Sequence, residues 1–152
     1  WPIKYWKELA EIVLNRYNCD IVLTGAKEDA EFSDQILDVS PKIKSLCGKL
    51  NIVENSFVLS RCKLVISGDT GPLHIATAVK TPVIGLYGAA PVSRTGPYGK
   101  NCFTVKSDRS CVPCNKRKCK YLKTGELYTP CLLDITPDKI IKIIDENNIL
   151  TV

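Results

Sequence analysis

Two apolar runs, Leu64-Val65-Ile66 and Val83-Ile84-Gly85-Leu86, contain no alternating polar positions. A strand of that kind has no face to give to water, so it must be covered on both sides, as strands of a parallel sheet are. Shorter stretches at 20–23, 43–46 and 102–106 read as further strands, and the two runs themselves as strands at 63–67 and 82–87. Between them lie segments of helical period. Ile3, Trp6, Leu9, Ala10, Val13 and Tyr17 recur at helical spacing over 3–17, and Pro2 stands where a missing amide donor costs nothing. Residues 28–38 begin with Glu28, Asp29 and Glu31, acids that complement the start of a helix. Residues 55–62 and 71–79 read as short helices. Thr136-Pro137 opens a last one, with Ile140, Ile141, Ile144 and Ile149 on its apolar side. Strands alternating with helices predict an α/β fold, a Rossmann-like three-layer domain with a mostly parallel sheet.

The 152 residues suffice for one domain with a core, and 45% hydrophobic with 24% charged is ordinary for a globular chain. No apolar run approaches the roughly 20 residues that span a bilayer. Residues 1–17 are charged and amphipathic, unlike a signal peptide. With no methionine anywhere, the chain is expected to be part of a longer protein. Its net charge is +5, and Lys116, Arg117, Lys118, Lys120 and Lys123 crowd into one segment. Such a run fits either a solvated loop or a contact with a phosphorylated or anionic partner.

The segment 63–79 places a strand, a turn and a helix in sequence. In open α/β sheets ligands bind beyond the carboxyl ends of strands. Gly68-Asp69-Thr70-Gly71 occupies that position, and the helix start after it offers free amides and a partial positive charge to a phosphate. Gly68 and Gly71 allow close backbone approach, Asp69 can accept from sugar hydroxyls, and Thr70 offers an amide and a hydroxyl. His74 lies one turn further on. The same residues also fit a simple helix cap, worth about 1 kcal/mol with no ligand at all. A lone histidine on an apolar helix is commonly structural. Spacing leaves both interpretations open.

The run Asp69-Thr70-Gly71-Pro72-Leu73-His74 resembles the Asp-(Thr/Ser)-Gly-x-x-His signature of glycosyltransferase family 9, the ADP-heptose:lipopolysaccharide heptosyltransferases. Further segments are similar in order: Trp1-Pro2 with Trp6, Thr24 to Asp29, Thr81 to Gly88, Arg94 to Gly99, and Ile135-Thr136-Pro137. The resemblance implies the C-terminal, donor-binding half of a B-type enzyme built from two Rossmann-like domains, with a Cys-rich insert at about 107–133. It implies transfer of heptose from ADP-heptose to the lipopolysaccharide inner core in a bacterial cytoplasm, with peripheral contact at the inner membrane as an extension. Thr70 and Gly71 amides would meet the diphosphate, with Gly68 beside them, Asp69 at the sugar or phosphate edge and His74 nearby. Asp29, or its neighbour Glu28, would meet the ribose, and Leu50 the adenine. The resemblance puts the catalytic base on the protein's own N-terminal domain, so no catalytic residue is expected in this chain. No cofactor is required. A lysine that precedes the Trp-Pro pair in the family has no counterpart here, and Gly88-Ala89-Ala90-Pro91 lacks the family's acidic residue, which leaves the donor preference open.

Cys111-x2-Cys114-x4-Cys119-x11-Cys131 has the local spacing of a structural zinc site. Paired disulfides and reduced thiols are the competing states, and a reducing compartment disfavours the first. Cys19, Cys47, Cys62 and Cys102 are scattered in apolar surroundings and read as small core residues. Two other functions compete with the transferase. A nucleotide-binding Rossmann domain of another sugar-nucleotide enzyme shares the fold, but no Gly-x-Gly-x-x-Gly follows the first strand. A nucleic-acid module built on the Cys cluster is opposed by the modest charge and the few aromatics in the basic run, so no nucleic-acid partner is expected.

Overall fold

The computed structural model describes residues 1–151. Helix α1 (Ile3–Arg16) leads into strand β1 (Ile21–Leu23), a 3-10 turn at Lys27–Asp29, helix α2 (Ala30–Leu37) and strand β2 (Ile43–Ser45). Helix α3 (Ile52–Ser60), strand β3 (Val65–Gly68), helix α4 (Gly71–Ala78) and strand β4 (Val83–Tyr87) follow. A single helical turn α5 (Val92–Thr95), strand β5 (Cys102–Lys106), a second short turn α6 (Pro130–Leu133) and helix α7 (Pro137–Glu146) complete it. Every strand pairing is parallel, as the apolar runs predict. The ladder is divided, however: β1 pairs with β2, and β3-β4-β5 form a second sheet. The core nevertheless bridges the division, because Ile21, Leu64 and Ile66 pack against one apolar cluster.

Strand β4 explains the layering. All five of its residues are buried, and the two-residue period of a strand sends them alternately to opposite faces. Ile84 and Leu86 join Leu9, Val13, Ile140 and Ile144 from α1 and α7. Val83 and Tyr87 join Leu59, Leu73 and Ala76 from α3 and α4. Gly85 lies on the same face as Tyr87. A Cβ there would stand 2.7 Å from the Tyr87 ring and 3.1 Å from Leu73, so the absent side chain is what allows the ring to lie along the strand.

The chain's first and last helices close one layer. Trp1 Nε1 donates to the Ile135 carbonyl at 2.6 Å, and Tyr5 donates to the Leu133 carbonyl at 3.2 Å. Tyr17 donates to Asp145 at 2.5 Å, and Arg16 pairs with the same carboxylate at 2.8 Å. Asp145 is held below the usual carboxylate range, chiefly by the Tyr17 hydrogen bond. The Tyr17 phenol is pushed up to about 12 by burial and by that carboxylate.

Two boundaries depart from the sequence expectation for identifiable reasons. Helix α3 begins at Ile52 rather than 55, because Asn51 caps it. Its Oδ1 accepts from the Val53 and Glu54 amides at 2.9 and 3.0 Å, while Glu54 accepts from the Asn51 amide at 2.8 Å. This is a complete capping box. The expected helix at 28–38 opens instead as a 3-10 turn, because Asp29 turns back to accept from the Ala26 amide at 2.8 Å. Turns α5 and α6 are too short to carry a periodic signal, and neither was expected.

Candidate functional site

Strands β3, β4 and β5 run in one direction, so the loops that follow them share one edge of the sheet. The β3–α4 turn lacks a side-chain cap. Thr70 is the N-cap with extended backbone (φ −141°, ψ 168°), yet no side chain caps α4. Thr70 Oγ1 turns to Ser67 Oγ at 3.0 Å instead. Pro72 has no amide proton, and the Leu73 amide bonds to the Thr70 carbonyl at 3.1 Å. The Thr70 and Gly71 amides are left unpaired among the described residues, and both residues are exposed. The capping alternative left open by the spacing is therefore not what the side chains do.

Gly71 also has nothing within 4 Å of where a Cβ would lie, and Gly68 has only a Thr70 methyl at 4.0 Å. Neither has the positive φ that favours glycine. Nothing inside the fold demands glycine at either position. The space beside them opens outward.

Asp69 is held by one short hydrogen bond and flanked by two further polar groups. Thr95 Oγ1 donates to its Oδ2 at 2.8 Å. His74 Nε2 stands 3.6 Å from Oδ1, and the Tyr87 hydroxyl 3.4 Å from the same atom. Tyr87 gives its proton to the Thr95 carbonyl at 2.6 Å. Burial, and then the Asp69 charge, push the Tyr87 phenol up to about 12, so it stays a neutral donor. The Asp69 side chain remains 24% exposed, which leaves it reachable from solvent. Sequence reasoning named Asp69 and His74 but missed Tyr87 and Thr95 as their partners. The available signal was Gly85, whose missing side chain makes room for the Tyr87 ring, and Thr95 within the Arg94-to-Gly99 segment.

The remaining predicted residues lie at the carboxyl end of the β1–β2 ladder. Glu28 and Asp29 are exposed on the 3-10 turn, and Leu50 is half-buried just before the α3 cap. The two loops touch through the Gly48 amide and the Gly25 carbonyl at 3.0 Å. Gly48 has φ +69°, and a Cβ there would come within 2.8 Å of the Lys27 backbone, so only glycine fits this contact. No hydrogen bond or ion pair among the described residues joins Glu28, Asp29 or Leu50 to the 67–74 turn.

The Cys-rich segment borders the site. The Asn115 amide donates to the Ala89 carbonyl at 2.7 Å, and Arg94 donates to Asn115 Oδ1 at 2.9 Å. Its base is closed where Arg109 makes a two-pronged pair with Asp134 at 2.6 and 2.9 Å and Ser107 donates to the same carboxylate. All eight cysteines are free thiols. Among the described residues no three His, Cys, Asp or Glu side chains converge as a metal set. Cys111, Cys114 and Cys119 are partly exposed. Cys131 is buried, with its sulfur 3.2 Å from the Cβ position of Gly88. No helix among the described residues is long and apolar enough to cross a membrane.

This architecture recurs in known proteins. Lipooligosaccharide heptosyltransferase 2 of Campylobacter jejuni serotype O:6 is 30% identical over 149 residues, which are 93% of this chain and 45% of that protein. Lipopolysaccharide heptosyltransferase 1 of Pseudomonas aeruginosa is 30% identical over 126 residues, 83% of this chain and 35% of its own length. The chain thus spans less than half the length of these relatives. Among solved structures, E. coli ADP-heptose lipopolysaccharide heptosyltransferase II superposes with a TM-score of 0.79 at 25% identity, over 99% of this chain and 41% of that one. E. coli heptosyltransferase WaaC with ADP gives 0.76 at 26% identity, over 97% and 39%. The model of glycosyltransferase family 9 (heptosyltransferase) matches residues 1–124, and on that match, with the fold and the Asp69-to-His74 turn already in place, the chain belongs to glycosyltransferase family 9.

Proposed function

We propose that this chain is the nucleotide-sugar-binding domain of a heptosyltransferase, which moves heptose from ADP-heptose to a lipopolysaccharide inner-core sugar. One observation carries the assignment: a helix start with two exposed, unpaired amides stands directly beside an anchored carboxylate. The amides suit a diphosphate, and Asp69 suits sugar hydroxyls. Glu28 or the second oxygen of Asp29 would take the ribose, and Leu50 the adenine face. Solved relatives with ADP and with ADP-2-deoxy-2-fluoro heptose support a nucleotide-sugar donor.

In this reaction an acceptor hydroxyl attacks the anomeric carbon while the bond from that carbon to the β-phosphate oxygen breaks. The electron pair leaves with ADP, and the hydroxyl proton passes to a base that we assign to no residue here. Negative charge grows on the diphosphate as the bond breaks. The Thr70 and Gly71 amides and the α4 dipole are fixed in advance where that charge develops, so they stabilise the transition state more than the ground state.

Calorimetric titration of the chain with ADP-heptose, ADP and UDP tests the assignment. ADP-heptose should bind more tightly than ADP, and ADP more tightly than UDP. Asp69→Ala should remove the increment that the sugar adds, about tenfold for a hydrogen bond to a charged group. Equal binding of UDP and ADP, or a sugar increment that survives in the variant, would contradict it.

A further inference from the structure

We propose that the loop between β5 and α6 is a docking surface for an anionic lipid bilayer. Six of the chain's 21 basic residues, Arg109, Lys116, Arg117, Lys118, Lys120 and Lys123, lie in this loop, and none of its 16 acidic residues falls between 109 and 125. With Asp108 and Glu126 counted, the loop still carries a net +4 of the chain's +5, so the rest of the molecule is close to neutral. Arg109 is committed to Asp134. The other five are exposed, and none forms an ion pair among the described residues.

A solvated basic loop needs no apolar residues, yet this one displays three. Tyr121 is 50% exposed, Leu122 37% and Leu127 85%. Lys120 Nζ lies 4.8 Å from the centre of the Tyr121 ring, so cation and aromatic ring stand side by side. Clustered cations with interleaved apolar side chains match a bilayer interface, where lysines meet anionic headgroups and tyrosine and leucine enter the acyl boundary. A nucleic acid would use the charge but leave Leu122 and Leu127 without a partner. The loop is also held in place at its base, by Asp134 and by the Asn115 bonds to Ala89 and Arg94. It would therefore present the β3–β4–β5 carboxyl edge to the membrane in a fixed orientation.

Co-sedimentation of the chain with vesicles tests this, using phosphatidylcholine alone and equal parts of phosphatidylcholine and phosphatidylglycerol. Binding needs neither donor nor acceptor, so the outcome is independent of the transferase assignment. The chain should pellet with the mixed vesicles and stay in solution with the neutral ones, and salt should weaken the association. Combined Lys116→Ser, Arg117→Ser, Lys118→Ser and Lys120→Ser should raise the half-saturating lipid concentration by about tenfold or more. Leu127→Ser, which leaves the charge unchanged, should weaken vesicle binding while leaving retention on a heparin column unchanged, which plain cation exchange would not predict. ADP binding should be the same in all these variants. Equal pelleting with neutral vesicles, no effect of Leu127→Ser, or tighter binding to a short single-stranded DNA than to the mixed vesicles would overturn the proposal.

Discussion

Gly71 separates what the fold needs from what the site needs. Its Cβ position is open and its backbone is helical, so alanine should fit without strain. Gly71→Ala should leave thermal stability unchanged or raise it by about 0.4–1 kcal/mol, through the less flexible unfolded chain. The same methyl would occupy the space where a diphosphate approaches, so ADP affinity should fall. A variant as tight as the parent would show that the open space is not the phosphate site. Thr95 makes the complementary case. Thr95→Val keeps the shape but loses the 2.8 Å bond to Asp69. We expect a loss of about 1 kcal/mol in urea unfolding, together with weaker sugar-dependent binding.

At the level of elements, the ends of α4 and α7 use one device with different residues. After α4, the Lys80 amide bonds to the Thr77 carbonyl and the Thr81 amide to the Ala76 carbonyl, both at 3.0 Å, with Lys80 at φ +64°. After α7, Asn148 at φ +51° occupies the equivalent place, with Ile149 bonded back to Ile144. Both are Schellman turns, which favour glycine and tolerate asparagine. Lysine there costs about 1 kcal/mol in left-handed backbone, so Lys80→Gly should raise the unfolding free energy by roughly that much, whereas Asn148→Gly should change little.

The seam between α1 and α7 should be sensitive to acid. The folded Asp145 carboxyl sits below its ordinary value, so its contribution is present above the unfolded pKa of about 4 and is lost as pH falls through the folded one. Tyr17→Phe removes the main cause of that depression. Its stability should therefore decline less steeply than the parent's below about pH 4 in acid titrations followed by circular dichroism. Parallel curves would contradict the seam's role.

Across the whole molecule, most of the architecture was legible because burial leaves its period in the sequence: β4, covered on both faces, is an unbroken apolar run, and α7, covered on one, repeats its isoleucines at helical spacing. Residues 83–87 and the start of α7 at Pro137 were placed within a residue, whereas Ile149, expected on the apolar side of α7, lies beyond that helix's end at Glu146. What escaped was set by contacts that no local pattern reports. Asn51 moved the start of α3, Asp29 folded onto Ala26, and the break between the β1–β2 and β3–β4–β5 ladders is a matter of pairing between distant segments. The site was half legible. Asp69, Thr70, Gly71 and His74 stand together as the motif suggested, while Tyr87 and Thr95 became visible only once β4 lay beside β3. The path of the Cys-rich loop, pinned at Asn115 and Asp134, likewise depends on contacts between distant segments.

On the proposed assignment, the β3–α4 turn grips a donor's diphosphate through its backbone amides. Amide chemical shifts of the isotopically labelled chain, followed while ADP is added, test this. The Thr70 and Gly71 amides should shift first and furthest, saturating with the same affinity that calorimetry reports, while the amides of Lys116 to Lys123 stay in place. Saturable binding that leaves Thr70 and Gly71 unmoved, or that instead shifts the basic loop, would contradict the claim.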